Sequence, residues 1–494
     1  MRYAVAIVLI VVLSPFSGIV SGEYEQDRIE NSESSSIMES YSIPVQLAFD
    51  RAEDISRYSQ DELLSTKEWL VVTGIPLNEH TKSLSNPISS IETKVLPGSY
   101  IWEMEDGGKA VESLTKAMEI GEIESFSPVI KMEHTKKFYP NDPEFGSQWH
   151  LENSGQTGGL SGEDANLTGA WDSYNGSGVV ISIVDDGLDV SHPDIAPNYD
   201  QSASYDWCND DSDPTPLSFD GHGTAAAGVA GAAGNNSIYV SGAAFGASLA
   251  GSTLIACSIN DFDESQALSY ENDYIDIYSN SWGPSDTGRI LDGPGPLMTA
   301  AFENDVFQGR DGLGNIITWA AGNGLTNDDD SNYDGYANSR YTIAVTAITH
   351  LGEQSYYAEP GANILVAAHS NGDGEAITTT DIVGSGGYNS SGNVTDTFGG
   401  TSSATPLVSG VIALMLEANQ NLTWRDVQHI LVNTARVNDP TDSSWEINGA
   451  GHDVSHKYGF GAVDASAAVA MSSNWTTVED EVNVSIGPMN SNFD

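Results

Sequence analysis

The sequence GGTSSATP at residues 399–406 places Ser402 where a glycine loop is about to become a helix. The two glycines carry no Cβ that would keep another backbone at a distance. Pro406 is expected in the first turn of the helix, where its missing N–H costs nothing. Residues 407–416 are apolar nearly all round, as in a helix buried inside a large domain. Ser402 is therefore predicted at the positive end of a buried helix dipole, where a negative attacking oxygen is stabilised.

Apolar strands and glycine loops upstream of this stretch carry other reactive side chains. One apolar run ends in the carboxylates Asp185 and Asp186, and another ends at Asn323. His222 stands between two glycines, before a run of small residues. Buried parallel strands commonly carry reactive groups at their carboxyl ends. The alternation of strands and helices predicts an α/β domain whose mostly parallel sheet is covered by helices on both faces.

The serine, the histidine and a carboxylate together favour nucleophilic chemistry. Serine is a poor nucleophile until a base removes its proton, and the base needs a third group that fixes its tautomer. Ser402, His222 and Asp185 supply these three kinds of side chain. On residues 399–406 alone, a structural loop and a nucleophile are equally good interpretations. The other two side chains favour the nucleophile.

Four short blocks resemble the signature blocks of the subtilisin-like serine proteases: IVDDG at 183–187, GHGT at 221–224, GNG at 322–324 and GTSxxxP at 400–406. Within that family the chain is most similar to the kexin/furin proprotein convertases, through DDGLD at 185–189, SWGPSD at 281–286, LDGP at 291–294, LEANxNLTWRD at 416–426 and VSHKYGFG at 454–461. The resemblance covers about residues 142–477 and implies a subtilisin-like three-layer fold. It also implies a secreted, calcium-dependent serine endopeptidase that cuts after basic, preferably dibasic, sites.

The resemblance gives a role to each residue that matches a family motif. Ser402 would attack the peptide carbonyl, His222 would move the proton, and Asp185 would hold the imidazole. Asn323 and the Ser402 backbone N–H would bind the oxyanion, and a donor such as Asn323 is worth roughly 3–4 kcal/mol of barrier. The implied substrate-binding residues are Ser281, Trp282 and Gly283 for the substrate backbone, Asp286 and Asp334 for the residue before the scissile bond, Asp186 for the basic residue preceding it, and Glu264 and Asp292 for a basic residue further back. A solvated acidic surface is the alternative for these carboxylates.

Calcium is implied by the same resemblance, because Asp and Asn oxygens and free carbonyls are hard ligands. One expected site consists of Asp142, Asp194 and Asn236 with carbonyls of the loop 233–240, and a second, beneath the specificity pocket, consists of Asp286, Asp329 and Glu359. A third cluster, Asp206, Asp211 and Asp213, departs from the family pattern because its loop carries an extra residue near Cys208. Acidic turns that contact only water are the alternative for all three clusters.

The composition limits the partners. The chain has 494 residues, and its 18 Lys and Arg against 70 Asp and Glu give a formal net charge of −52. That charge argues against nucleic acid and anionic membrane surfaces as partners and favours cationic ones. Solubility alone, or adaptation to a salty medium, would explain the same charge. Cys208 and Cys257 are the two cysteines, and export would allow them to pair without requiring it.

The N-terminal part of the chain has the pattern of a secreted precursor. Residues 1–22 have the build of a secretory signal: one positive residue, a short apolar run, then a break with small residues. Residues 23–137 are predicted to be a pro-segment that contains a small α+β unit at about 68–133 and acts as an intramolecular inhibitor. The pro-segment ends at the dibasic pair Lys136-Lys137, where we expect the enzyme to cleave itself.

Residues 138–477 are predicted to be the catalytic domain, and residues 478–494 a short tail where the β-rich domain of convertases would begin. The convertase resemblance implies that such a domain follows; with the given sequence ending at Asp494, either the chain is a truncated product or the catalytic domain stands alone. No segment after the signal is long and apolar enough for a transmembrane helix. We expect an exported monomer that has no membrane span.

Two other functions stay open. A broad degradative subtilase, acidic only through its environment, would cut after Leu as well as after Lys-Arg. A non-catalytic protein with the same fold would bind basic peptides without cutting them. The presence of Asp185, His222, Ser402 and Asn323 argues against the second alternative, because a binder needs none of them.

Overall fold

The computed structural model describes residues 37–41, 58–73, 87–130, 138–479 and 481–482, with isolated positions between 45 and 55. The predicted signal peptide, the dibasic pair Lys136-Lys137 and most of the predicted tail lie outside these residues. The chain divides into two compact units, Met1–Thr135 and Lys136–Asp494. The functional boundaries of signal, pro-segment and catalytic domain stay predictions.

The first unit is a small α+β unit. Its strands are β1 (Glu68–Val72), β2 (Ser89–Glu92), β3 (Ser99–Glu103) and β4 (Ser125–Pro128), and its α-helices are α1 (Gln60–Ser65) and α2 (Gly107–Glu119). The strands form one antiparallel sheet in the order β2-β3-β1-β4. Trp69, Trp102 and Leu114 have no exposed surface and form its core.

The second unit contains a seven-stranded sheet in which every neighbouring pair is parallel. Its strands are β5 (Val180–Asp185), β6 (Tyr205–Asp206), β7 (Ser248–Thr253), β8 (Ile277–Asn280), β9 (Ile316–Ala320), β10 (Thr342–Ile348) and β11 (Ile364–His369). The order is β11-β10-β9-β8-β5-β7-β6, so the chain builds one side of β5 and then the other. Parallel sheets bind ligands beyond the carboxyl ends of the strands at such a switch point. The predicted α/β fold with a parallel sheet is confirmed.

Helices and two small hairpins complete the second unit. Its α-helices are α3 (His222–Gly231), α4 (Asp261–Leu268), α5 (Pro296–Gln308), α6 (Thr401–Ala418), α7 (Trp424–Thr434) and α8 (Ala465–Ser472). The hairpins pair β12 (Ile377–Thr380) with β13 (Val394–Phe398) and β14 (Glu446–Ile447) with β15 (Asp453–Val454). Helices α3 and α6 pack against each other and against the sheet. Thr423 and Asp426 form a capping box at the start of α7.

Helix α6 is the central helix of this unit, and it begins earlier than the sequence suggests. It starts at Thr401, so the prediction that Pro406 occupies the first turn is wrong. Proline removes only the hydrogen bond that its own N–H would donate, here to the carbonyl of Ser402. The hydroxyl of Ser281 donates to that carbonyl oxygen instead, at 3.1 Å. The helix therefore continues through Pro406 and places Ser402 in its first turn.

The structure also decides the pairing of the cysteines. Cys208 and Cys257 form a disulfide with 5.8 Å between their Cα atoms.

Helix α6 would be long and apolar enough to cross a membrane, but 89% of its 18 residues are buried inside the unit. It is a core helix.

A histidine without exposed surface lies in the core of the second unit. Neither ring nitrogen of His150 has a hydrogen-bond partner among the described residues. The ring packs against Trp149, with 6.3 Å between the ring centroids. Burial and the neighbouring charge of His369 lower the pKa of His150 to about 3. Beyond it, His369 lies 3.1 Å from Glu163, which also pairs with Arg436.

This histidine is expected to make the fold labile to acid. As the pH falls from 6.5 towards 3, the unfolded chain gains a proton at His150 and the folded chain does not. The free energy of unfolding then falls by roughly 1.4 kcal/mol per pH unit, or roughly 3 kcal/mol between pH 7 and pH 4. His150→Phe should remove that part of the loss, measured by urea unfolding with Ser402→Ala as the common background of all chains compared. His429→Phe, at an exposed position of α7, is the control, and an unchanged acid loss in His150→Phe would contradict the prediction.

Candidate active site

The carboxyl edge of the parallel sheet brings the predicted catalytic carboxylate and histidine together. Asp185 is the last residue of β5 and is 1% exposed. His222 is the first residue of α3, and its Nδ1 lies 2.9 Å and 3.0 Å from the two carboxylate oxygens of Asp185. Because Nδ1 is held by Asp185, Nε2 is the nitrogen that remains available for proton transfer.

The neighbouring carboxylate, Asp186, is tied to the helix that carries the histidine. It accepts hydrogen bonds from the backbone N–H groups of His222 and Gly223, at 3.2 Å and 2.7 Å. These N–H groups are unpaired donors of the first helical turn, which a carboxylate satisfies well. The sequence predicted only substrate contact for Asp186. Its position makes it also an anchor for the start of α3.

The two carboxylates determine the proton affinity of the imidazole. Burial alone would lower the pKa of His222, but the charges of Asp185 and Asp186 outweigh burial and raise that pKa to about 9. Burial and the charge of Asp185 raise the pKa of Asp186 to about 7. Opposite charges close together favour the charged form of a base, and like charges disfavour that of an acid.

We expect kcat/KM to rise with pH along a limb centred near pH 9, because only neutral His222 can accept a proton. Asp186→Asn removes one negative charge, lowers the pKa of His222 and should move the limb to lower pH. The measurement is the pH dependence of hydrolysis of a short peptide with Lys before the scissile bond. Asp453→Asn, an exposed position on β15, is the matched control. A limb that stays in place in Asp186→Asn would show that this carboxylate does not act on His222.

Ser281 holds Ser402 through two hydrogen bonds, one at the hydroxyl of Ser402 and one at its backbone carbonyl. The hydroxyl of Ser402 donates to the Ser281 carbonyl at 3.2 Å, and the Ser281 hydroxyl donates back to the Ser402 carbonyl. In the described part of the chain no hydrogen bond joins Ser402 to His222. Hydrogen bonds between nucleophile and base are often long without substrate and tighten when substrate binds. Ser402 itself is 8% exposed, so its hydroxyl opens onto a restricted space.

Asn323 follows β9, and its amide is oriented by the start of α6. Its Oδ1 accepts from the Thr401 backbone N–H at 2.8 Å and from the Thr401 hydroxyl at 3.1 Å. The amide oxygen is thereby occupied, which leaves Nδ2 as the donor for a ligand. The Asn323 backbone N–H donates to Asp286 at 2.9 Å. Asn323 is therefore fixed between the start of α6 and an acidic residue, which fits its predicted role as an oxyanion donor.

A cavity of about 230 Å³ opens beside these residues. It is lined by Ser281, Trp282, Gly283, Pro284, Ser285, Asp286, Ala320, Gly322, Asn323, Asp334, Thr401 and Ser402. Any side chain at Gly283 would place its Cβ 2.9 Å from Asp334 Oδ2, so glycine keeps the entrance open. Burial and the charges of Asp286 and Asp292 raise the pKa of Asp334 to about 7. Asp286 and Asp334, two carboxylates that repel each other, therefore line the same cavity as Ser402.

Two further predicted substrate carboxylates, Asp292 and Glu264, lie close to this cavity. Asp292 is exposed, and its backbone forms a bridge with that of Asp334. Glu264, on α4, accepts a hydrogen bond from the Tyr336 hydroxyl at 2.8 Å. Burial, and then the charges of Asp261, Asp263 and Asp292, raise the pKa of Glu264. Asp292 and Glu264 thus extend the group of Asp286 and Asp334, and we call these four carboxylates the acidic strip.

Three carboxylates beneath the cavity form a group that could hold a metal ion. One oxygen from each of Asp286, Asp329 and Glu359 lies within 4.8 Å of the other two. Burial, and then the charges of Asp286, Asp329 and Asp334, raise the pKa of Glu359 to about 8. Buried carboxylates that repel one another fit a hard divalent cation, which would remove the repulsion.

The first predicted calcium cluster is also assembled, with a different role for its asparagine. Asp142 accepts from the backbone N–H groups of Asn235 and Asn236, and Asp194 accepts from Val240. Asn236 donates its Nδ2 to Asp194 at 2.9 Å, and its Oδ1 accepts from Ile238. In this arrangement the side-chain oxygen of Asn236, predicted to be a metal ligand, accepts a hydrogen bond from its own loop.

The third predicted cluster looks like a set of turn residues. Asp206 accepts from Cys208 and Asn209, and Asp211 accepts from Asp213. Within the described residues, these carboxylates do not form a group of three that converges on one point.

A parallel α/β sheet whose carboxyl edge holds an Asp–His pair, a serine and a side-chain amide defines a serine hydrolase site. The chain belongs to the subtilase family: the family model described as "Subtilase family" matches residues 176–461. The chain is 44% identical over 351 residues to proprotein convertase subtilisin/kexin type 6 from Homo sapiens, covering 69% of this chain and 35% of that protein. It is 41% identical over 346 residues to furin from Homo sapiens, covering 69% of this chain and 42% of that protein.

A solved structure supports the fold independently. The serine protease of Aeromonas sobria is 27% identical, has a TM-score of 0.65 and matches 72% of each chain. The predicted family, with convertases among the relatives, is confirmed. Since the chain spans less than half the length of the curated relatives named here, the activity and substrates of the whole protein belong to the proposal below.

Proposed function

We propose that this chain is a serine endopeptidase that hydrolyses polypeptides after basic residues and prefers pairs of Lys or Arg. The observation that carries this proposal is the cavity that brings Asp286 and Asp334 together with Ser402 and Asn323. Relatives named as convertases and furin support the same specificity. Residues 1–22 support export of the chain, and the acidic surface suits basic polypeptides as substrates.

The reaction follows from the positions of the four side chains. His222, whose Nδ1 is held by Asp185, accepts the proton of Ser402 at Nε2 as the serine oxygen attacks the carbonyl carbon. The oxyanion accepts hydrogen bonds from Asn323 Nδ2 and the Ser402 backbone N–H. The tetrahedral adduct collapses, the C–N bond breaks, and His222 gives the proton to the leaving amine. A water molecule then hydrolyses the acyl-enzyme by the same steps.

The specificity follows from the carboxylates. A Lys or Arg side chain that enters the cavity pairs with Asp286 and Asp334, which otherwise repel each other. Leucine there leaves both carboxylates desolvated and unpaired, which costs more than the apolar contact returns. Glu264 and Asp292 extend from the cavity towards earlier substrate residues, and Asp186, which lies beside His222, would meet the basic residue just before the one in the cavity.

Four matched peptides would test this proposal. They carry Lys-Lys, Leu-Lys, Lys-Leu or Leu-Leu before the same scissile bond. We expect kcat/KM for Lys-Lys to exceed that for Lys-Leu by about 10⁴-fold or more, because the latter leaves buried charges unpaired. Equal cleavage of all four would favour a broad degradative protease, and binding of Lys-Lys without turnover would favour a non-catalytic binder.

We also propose that calcium binds at Asp286, Asp329 and Glu359, and a second ion at Asp142 and Asp194. The bound ion would neutralise charge beneath the specificity cavity and fix its floor. Since Asp286 belongs to both the cavity and the metal cluster, the ion would position a specificity residue without taking part in a chemical step.

Calcium is expected to stabilise the folded chain by about 2.7 kcal/mol per site at a concentration 100 times the dissociation constant. Glu359→Gln removes one ligand charge and should reduce both the number of bound ions and the calcium-induced rise in Tm. Glu353→Gln, an exposed position six residues away, is the matched control. The measurements are calcium stoichiometry by native mass spectrometry and Tm with and without calcium. Unchanged stoichiometry in Glu359→Gln would exclude this site.

Self-cleavage after Lys137 is part of the proposal, and it requires the segment around Phe138 to change position. The Phe138 backbone N–H donates to Asp172 at 2.9 Å, and Glu417 lines the same cavity as these two residues. Glu417 and Ser402 lie near opposite ends of α6, about 22 Å apart at 1.5 Å per residue. The bond before Phe138 is therefore far from Ser402 in this arrangement. Cleavage within one chain requires that this segment first lie across the cavity and move to Asp172 afterwards.

A further inference from the structure

Four large apolar side chains are exposed on two loops beside the catalytic histidine. Their exposed fractions are 60% for Leu217, 76% for Phe219, 40% for Val383 and 45% for Tyr388. We call these four residues the apolar rim. Such clusters of exposed apolar side chains mark binding surfaces in soluble proteins. Neither the proposed catalytic steps nor the basic specificity uses the rim.

The two loops touch each other and lead to His222. The Gly387 N–H donates to the Ser218 carbonyl at 2.9 Å, and a Cβ on Gly221 would lie 3.0 Å from Gly387 Cα. The first loop continues directly into α3. Phe398 connects the second loop to the imidazole, because its ring centroid lies 5.4 Å from that of His222 and 5.8 Å from that of Tyr388. Tyr388 is therefore one aromatic ring away from the general base.

The rim lies outside the cavity that is proposed to take the basic residue before the scissile bond. No rim residue lines the cavity that contains Asp286, Asp334 and Ser402. During the reaction, His222 gives its proton to the amine of the residue that follows the scissile bond. That residue must therefore lie against His222, while the preceding residue occupies the cavity. The position of the rim, beside His222 and outside the cavity, therefore suits the part of the substrate that follows the scissile bond.

We propose that the apolar rim binds the first two residues after the scissile bond and selects apolar or aromatic side chains there. This inference rests on the proposed endopeptidase activity and adds the second half of its specificity. The chain's own predicted cleavage site has this composition, since Phe138-Tyr139 follow Lys136-Lys137. Phe219 and Tyr388 supply aromatic faces that pack against a ring in the substrate. An acidic residue in the same place would lie near Asp185 and Asp186 and would be repelled by their negative charges.

The test uses the processed enzyme and peptides with Lys-Lys before the bond. The residues after the bond are Phe-Tyr, Ala-Ala or Asp-Asp. We expect kcat/KM for Phe-Tyr to exceed that for Ala-Ala by about 10- to 100-fold, as for one or two apolar groups in a binding site. Phe219→Ser/Tyr388→Ser should reduce this ratio to about 3-fold or less, because the Phe-Tyr peptide then loses its apolar contacts. Ile447→Ser, an exposed apolar position on β14, is the matched control and should keep the full preference.

The outcomes separate this inference from the proposed function. If wild type cuts all three peptides at equal rates, or if the double variant keeps the full preference, the rim does not select these residues. If the double variant instead changes the discrimination between Lys-Lys and Leu-Lys, the rim contacts the residue preceding the bond, and the inference is wrong. If wild type cuts none of the peptides, the endopeptidase proposal and this inference fall together. Phe219→Ser alone, at a residue with 76% exposure, repeats the test with minimal risk to folding.

Discussion

Ser402→Ala is expected to lower turnover of a Lys-Lys peptide by about 10⁶-fold and to leave the Lys137–Phe138 bond uncut during expression. The loss follows from removal of the hydroxyl that would attack the substrate carbonyl. The hydrogen bonds from Thr401 to Asn323 and from the Ser281 hydroxyl to the Ser402 carbonyl do not involve the Ser402 hydroxyl, so binding survives while the acyl-enzyme cannot form. The measurements are kcat by product release and the mass of the secreted chain.

A neighbouring serine supplies the control for this variant. Ser403→Ala makes the same change one residue further along α6, where the hydroxyl is buried against Ser370. It should be processed and active. Mixing purified Ser402→Ala chain with a trace of wild-type enzyme then tests whether the same bond is cut between chains. A Ser402→Ala chain that still processes itself would show that another nucleophile, or another protease, cleaves the site.

The sequence predicts the sheet and the order of its reactive residues because both follow from local patterns. Apolar runs of strand length end in Asp185 and near Asn323, and parallel strands place such ends at one edge. Glycines on both sides of His222 indicate a loop close to the start of a helix. Each of these signals lies within about ten residues, a range in which composition alone constrains the backbone.

Details that depend on distant partners could not be predicted in this way. The sequence suggests a helix start at Pro406, but the helix begins at Thr401 because Ser281, more than 100 residues away, satisfies the carbonyl that the proline leaves free. Asp186 reads as a substrate residue, and only the packing of α3 on β5 reveals its hydrogen bonds to the helix backbone. The apolar rim depends on two loops about 170 residues apart, which no local pattern connects.

Asp185→Asn is expected to lower kcat by about 10⁴-fold with little change in folding. Both carboxylate oxygens face His222 Nδ1, and an asparagine can turn its NH₂ towards that nitrogen, which stabilises the tautomer that carries its proton on Nε2. Nε2 then cannot accept the proton of Ser402. The comparison is made near pH 10, above the expected limb, so that a change in the pKa of His222 does not enter.

The matched control is Asp186→Asn, the same change one residue further along the chain. Its side-chain oxygen can still accept a backbone N–H from Gly223, and it makes no contact with the imidazole nitrogens. It should therefore keep most of its kcat near pH 10. If Asp185→Asn retained more than about one hundredth of the wild-type kcat, orientation of the histidine would not be the function of Asp185. If the two variants lost activity equally, negative charge near His222 would matter more than the hydrogen bond that fixes its tautomer.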